Sequence, residues 1–220
     1  MPAAFALWLA ALLLLRATLF RRPPARAVIT DLTDATAVDT KTGAVRSVQQ
    51  ADLEIESSAL DEMWTPMHLE RLARTYWRFL TRITLGLIRV RYSEQGRSIV
   101  LVTPPFRLLS FGVPEYEINP SRGLVRWGIA RGLLVARRGR DGAGYLQIEV
   151  RRSPGPDPAH ERLHVEVEVA NFYPSIASRI SLRLYNATQS RIHVIITSAF
   201  LRSLARLDLA ESRVGHFSRA

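Results

Sequence analysis

Residues 51–66 read ADLEIESSALDEMWTP, and the change of period inside them decides how the chain is built. Asp52-Leu53-Glu54-Ile55-Glu56 alternates polar and apolar side chains, the pattern of a half-buried strand. Ser57 or Ser58 then offers a cap for a short helix running through Trp64, and Thr65-Pro66 restarts a second, with Thr as N-cap and Pro at the first helical position. On that second helix Leu72, Tyr76, Phe79, Leu80 and Ile83 supply apolar faces before Gly86 ends it. Arg74, Arg78 and Arg82 recur every four residues, which predicts an amphipathic, surface-lying helix.

Downstream, from Leu87 to about Ala170, the period is that of strands: LIRVRY, SIVLV, FRLLSF, LVRWGI, LLVAR, YLQIEV and RLHVEVEVA. Gly and Pro punctuate nearly every gap, and the segments Ser93-Glu94-Gln95-Gly96 and Gly139-Arg140-Asp141-Gly142 have hairpin-turn composition. An antiparallel meander of six or seven strands is expected. After Pro174 a helical segment extends to about Leu209. At about 100° per residue its Arg191, Arg202 and Arg206 share one face, while Asn186, His193, Thr197, Phe200 and Leu204 lie on the opposite, inward face. Ile192 and Ile196 flank that inward stripe on one side, Val194 and Leu201 on the other.

Upstream of Ala51, residues 25–50 are rich in Thr, Asp and Ala with few large apolar side chains, and they follow Pro23-Pro24. A tether is expected there, with Ala27-Val28-Ile29-Thr30 as a possible edge strand. Ala3 to Phe20 is eighteen residues with one charge, Arg16; as a helix it measures about 27 Å, close to the hydrocarbon thickness of a bilayer. Arg21, Arg22 and Arg26 follow the apolar run rather than precede it, which favours a retained anchor over a cleaved signal. The positive-inside rule then places the rest of the chain in the cytoplasm. The expected organisation is a transmembrane anchor over 1–22, a flexible tether over 23–50, a folded domain over 51–210 and a tail over 211–220.

A strand, two helices, an antiparallel meander and a long last helix describe the helix-grip architecture, an α+β fold in which a curved sheet wraps that helix. The chain resembles the START/Bet v1-like, polyketide-cyclase-like superfamily over about Ala51 to Leu209. The resemblance rests on element order, on ADLEIESSALDEMW and on YPSIASRISLRLYNATQSRIHVIITSAFLRSLARL. It implies a cavity for a lipid, polyketide or similar hydrophobic ligand and transfers no catalytic residue.

The 220 residues contain no Cys, which excludes disulfides, Cys-ligated zinc, iron–sulfur clusters and a thiol nucleophile. The net charge of +10 rests on 29 Arg and the single Lys41, with no aromatic-basic interleaving of the kind an RNA-binding sheet uses, so nucleic acid is not an expected partner. No nucleotide, metal or nucleophile signature is present, and no cofactor is expected. The candidate ligand-binding set is His193, Asn186, Thr197, Ile196 and Phe200 on the inward helix face, with Trp127 as a strand-borne pocket wall. The inward polar groups are read in three ways: as structural groups bonded to strand backbone or water, as ligand contacts, or with His193 as the acid or base of a cyclase- or dehydratase-like enzyme. A fourth alternative is an interaction module with a packed core. Glu149, Glu166 and Glu168 alternate with apolar residues on their strands and are assigned to the solvent face. Arg137, Arg138 and Arg140, with Arg151-Arg152, form the densest basic group and are candidates for contact with an anionic membrane surface. The expected function is membrane-anchored binding or transport of a hydrophobic small molecule or lipid.

Overall fold

The computed structural model describes residues 27–93, 96–101, 107–139, 143–173 and 200. Two long strands open the described chain, β1 (Ala27–Val38) and β2 (Val45–Glu56), followed by helices α1 (Ser57–Met63) and α2 (Pro66–Ile83). Seven further strands follow: β3 (Ile88–Ser93), β4 (Gly96–Leu101), β5 (Arg107–Phe111), β6 (Glu115–Ile118), β7 (Arg122–Arg131), β8 (Tyr145–Pro154) and β9 (His160–Phe172). All pairings are antiparallel and give one nine-stranded sheet in the order β1-β2-β9-β8-β7-β5-β4-β3. β6 pairs with β7 beyond β5, so β5 and β6 lie end to end along one edge of β7.

Alternation along β2, β8 and β9 separates an inner from an outer face. Leu53 faces the core beside Leu163, Ala51 beside Val165 and Gln49 beside Val167, while Asp52 and His164 pair on the outside. Both helices lie on the inner face, α1 against β2 and β9 and α2 against β7 and β3. Between α2 and the sheet the core is aromatic. Trp77 meets Tyr76, Phe111 and Trp127 edge-on at centroid distances of 5.2–5.3 Å, and Phe200 meets Tyr76 at 5.5 Å. Edge-to-face contacts of this kind add to what the buried area alone supplies.

The local signals around residues 51–66 are realised in detail. Thr65 caps α2 by accepting a hydrogen bond from the His68 amide, and Pro66 begins the helix. α1 differs, because Glu56 occupies its cap position without a side-chain bond and Ser57 is already helical.

Several expectations are corrected. The sheet has nine strands rather than six or seven, and it is not shown wrapping a long C-terminal helix. That helix was expected over residues 174–209, of which only Phe200 is described. Among the described residues no helix is long and apolar enough to cross a membrane, so the transmembrane anchor and the single-pass, cytoplasm-facing placement are not upheld; Ala3–Phe20 lies outside the described residues. The expected tether carries β1 and half of β2, since an edge strand needs only backbone pairing and no second buried face. LLVAR is not a strand. Gly132 adopts a φ of 150° and a Cβ there would lie 2.2 Å from the Leu108 carbonyl oxygen, which turns the chain so that Leu133 and Leu134 donate to β5 and Ala136 to Tyr173. Nor are all the arginines of α2 in water: Arg82 is exposed, but the Arg74 side chain is only 15% exposed and stacks on Tyr92.

Candidate functional site

A cleft of about 70 Å³ opens where the junction of α1 and α2 meets the inner face of the sheet. Leu60 and Met63 of α1, Leu69 and Leu72 of α2, and Val150 and Leu163 of the sheet give it apolar walls. Gly123 forms part of its floor. A Cβ at that position would stand 2.9 Å from Val150 Cγ2 and 3.5 Å from Leu69 Cδ1, so any side chain there would press into the space. The α1–α2 break positions the rim: Trp64 ends α1, donates its indole N–H to the Asn119 carbonyl at 2.7 Å, and lies under the Arg152 guanidinium at 5.4 Å. Arg152 is itself fixed by Glu161 and by Asp61.

Thr65 and His68 supply the polar groups of this lining. Arg71 Nη1 lies 3.2 Å from His68 Nε2, and because a guanidinium only donates, Nε2 must accept. The ring proton therefore sits on Nδ1, which donates to Thr65 Oγ1 at 2.8 Å. Thr65 Oγ1 also accepts from the His68 amide at 3.3 Å, so its own hydroxyl proton remains available for a further acceptor. Burial, and then the Arg71 charge, hold His68 below its ordinary pKa. At neutral pH the cleft therefore presents an uncharged imidazole beside a hydroxyl donor, an arrangement suited to orienting a ligand with one acceptor atom.

None of the described residues anticipated from sequence lines the cleft. His193, Asn186, Thr197 and Ile196 lie outside the described residues. Phe200 is fully buried against Tyr76. Trp127 is also fully buried, 5.2 Å from Trp77 and beneath Arg97 at 5.1 Å, and it does not line the cleft. Arg137 is exposed on a single turn of 3-10 helix, Arg138 shares that turn, and Arg140 lies outside the described residues. Arg151 and Arg152 do not form a free basic tip, because each is engaged by carboxylates. The cleft residues carry no motif; Thr65-Pro66 was legible as a cap, and its neighbours could have been found only from the fold.

Glu149 and Glu168 do face outward, as their alternation requires, yet both are buried within a polar lattice. Arg122 reaches Glu149 with Nε at 2.8 Å and Nη2 at 3.1 Å, Arg151 adds a second guanidinium, and Gln147 donates from below at 3.2 Å. These bonds, Arg122 foremost, hold the Glu149 carboxyl below its ordinary pKa. Glu168 takes Arg46 on one oxygen and the Tyr145 hydroxyl on the other, and burial followed by that carboxylate pushes the Tyr145 phenol up. Among the described residues no group of three or more His, Asp or Glu side chains is arranged to hold a metal ion.

Comparison with known proteins leaves the family open. No family model matches the chain, and no curated protein does. Among solved structures, a protein from Arthrobacter aurescens is 12% identical, with 83% of this chain and 96% of that one covered at a TM-score of 0.34. The solution structure of CalU16 from Micromonospora echinospora is also 12% identical, covering 85% of this chain and 79% of that one at a TM-score of 0.29. An uncharacterised protein from Rhizobium leguminosarum is 14% identical over 72% of this chain and 98% of its own, with a TM-score of 0.23. Superposition at this level carries no argument about what this chain does.

Proposed function

We propose that the protein binds a hydrophobic small molecule or lipid, with an apolar end of the ligand seated in the cleft between α1, α2 and the sheet. The observation that supports this reading is the composition of the cleft: its walls are aliphatic, its floor is kept open by Gly123, and Thr65 and His68 contribute its polar atoms. Small-molecule sites share that make-up, an apolar body with a few placed polar groups. At about 70 Å³ the space accepts a chain terminus or a single ring rather than a whole lipid, so most of the ligand would lie beyond the described cleft.

Titrating isotope-labelled protein with 1-decanol tests the proposal. Saturable chemical-shift changes are expected at Leu60, Leu69, Leu72 and Val150, and Leu163→Phe, which fills the cleft, should weaken binding at least about tenfold. Absence of saturable change at those residues, or unaltered affinity in Leu163→Phe, would reject it.

A further inference from the structure

On the other flank of α2 the inner face buries polar atoms that have no hydrogen-bond partner among the described residues. Arg97 on β4 is 8% exposed and Glu70 on α2 is 9% exposed. The Arg97 guanidinium lies between two rings, 5.1 Å from the centroid of Trp127 and 5.2 Å from that of Tyr92; Arg74 approaches the same Tyr92 ring at 5.4 Å. Tyr116 stands beside this group; burial, opposed by the Arg97 guanidinium, lifts its phenol above the ordinary pKa. Glu70 comes within 3.7 Å of Arg74 Nε, too far for a hydrogen bond. No carboxylate among the described residues pairs with Arg97.

Five buried polar atoms in this run have no hydrogen-bond partner among the described residues: Arg97 Nη1, Arg74 Nε, Trp127 Nε1, Trp77 Nε1 and Glu70 Oε2. Four are donors and one is an acceptor. The rings and guanidiniums that carry them touch in sequence, Trp77 on Trp127, Trp127 on Arg97, and Arg97 and Arg74 on Tyr92. A buried group left unbonded is a cost that native structures avoid, so a surplus of donors around two cations and one carboxylate calls for a component rich in acceptors and negative in charge. A metal cation would be repelled by the arginines, and an apolar group would leave every donor as it is. Water offers acceptor lone pairs but no neutralising charge.

We infer that Arg97 and Arg74, with the Trp127 indole N–H, form a binding site for the oxyanion of a small molecule, a carboxylate or a phosphate. The site stands apart from the cleft and does not depend on its occupant. Planar guanidiniums suit oxyanions because they present paired donors, and here the aromatic rings fix the guanidinium planes in advance.

Thermal unfolding of the full-length chain tests this, using sodium benzoate and sodium phosphate as probes, with benzamide and sodium chloride at matched concentration and ionic strength as controls. One or both oxyanions should raise the melting temperature saturably while the controls do not. Response to benzoate alone assigns a carboxylate-bearing ligand, and response to phosphate alone a phosphate-bearing one. In Arg97→Met and Arg74→Met the half-saturating concentration should rise at least tenfold, in Arg97→Lys less, and in the exposed Arg107→Gln not at all. If either Met variant fails to fold, the other and Arg97→Lys carry the test. Absence of any saturable oxyanion response, or a response unchanged in the Arg97 and Arg74 variants, would overturn the inference.

Discussion

The inner and outer faces of the sheet bury polar side chains in opposite ways, and six residues of strand β8 sample the two faces in alternation. Its inner face presents Leu146, Ile148 and Val150 to the core; its outer face presents Tyr145, Gln147 and Glu149. Gln147 and Glu149 are as buried as the core residues, but each is held by named donors, Glu149 by two arginines and an amide. On the inner face the reverse holds around Arg97 and Glu70, where polar atoms are buried and unbonded. Depth of burial therefore does not separate the two sets of polar groups in this molecule. Satisfaction does, because a bonded lattice has already spent its donors and acceptors on itself.

The largest effect should come from the core on which the inner face depends. Trp77→Ala empties a site packed by Tyr76, Phe111 and Trp127, and a loss of about 3–5 kcal/mol is expected in urea unfolding. A loss under about 1 kcal/mol would mean that the aromatic cluster is not the centre of the fold. Breaking the outer lattice should cost less: Glu149→Leu strands Arg122 and Arg151, but both are partly exposed and can return to water, so about 1–2 kcal/mol is expected. The same residue sets a pH dependence. Its folded pKa lies below the ordinary 4.5, so its stabilisation is present above that value and is lost as pH falls through the folded pKa. Glu149→Gln should therefore flatten the acid limb of the stability curve, and an unchanged limb would remove Glu149 from the account.

Smaller still is the rim of the cleft. Thr65→Ala removes the α2 cap and the acceptor of the His68 ring, at about 1 kcal/mol. His68 has a folded pKa below the ordinary 6.5, so whatever stability it contributes is complete above that pH and declines as pH falls below it. Arg71→Gln removes one of the two causes and should move the His68 midpoint, followed by NMR, upward. A downward or absent shift would remove the Arg71 charge as a cause of the lowered His68 pKa.

How much of this was legible in the sequence depends on the kind of signal. Thr65-Pro66, the alternation of residues 52–56 and the alternation of LHVEVEV are local rules, and the structure follows them. β1 was weak in sequence because an edge strand can form on backbone bonds alone, and β6 because it is only four residues long and confined between Pro114 and Pro120. The arginines of α2 misled through periodicity: spacing of four puts Arg74 and Arg78 on one stripe but cannot reveal that Tyr92 of β3 covers Arg74. Arg97 gave no signal at all, since it falls between the Gly96 turn and the strand SIVLV, and only the pairing of β4 with β5 and the packing of the inner face bring it over Trp127. The cleft likewise joins residues from 55 to 163, a set that no spacing rule connects.

The contrast between the two faces is tested most directly by measuring the stability of ligand-free Arg97→Met and Glu149→Met side by side in urea. Methionine keeps much of the apolar bulk in both cases and removes the charge. The account predicts that Arg97→Met is neutral, within about 0.5 kcal/mol, or more stable than the parent, because it deletes a buried guanidinium that no carboxylate among the described residues satisfies, while Glu149→Met loses about 1–2 kcal/mol. Equal losses in the two variants, or a larger loss at Arg97, would contradict it.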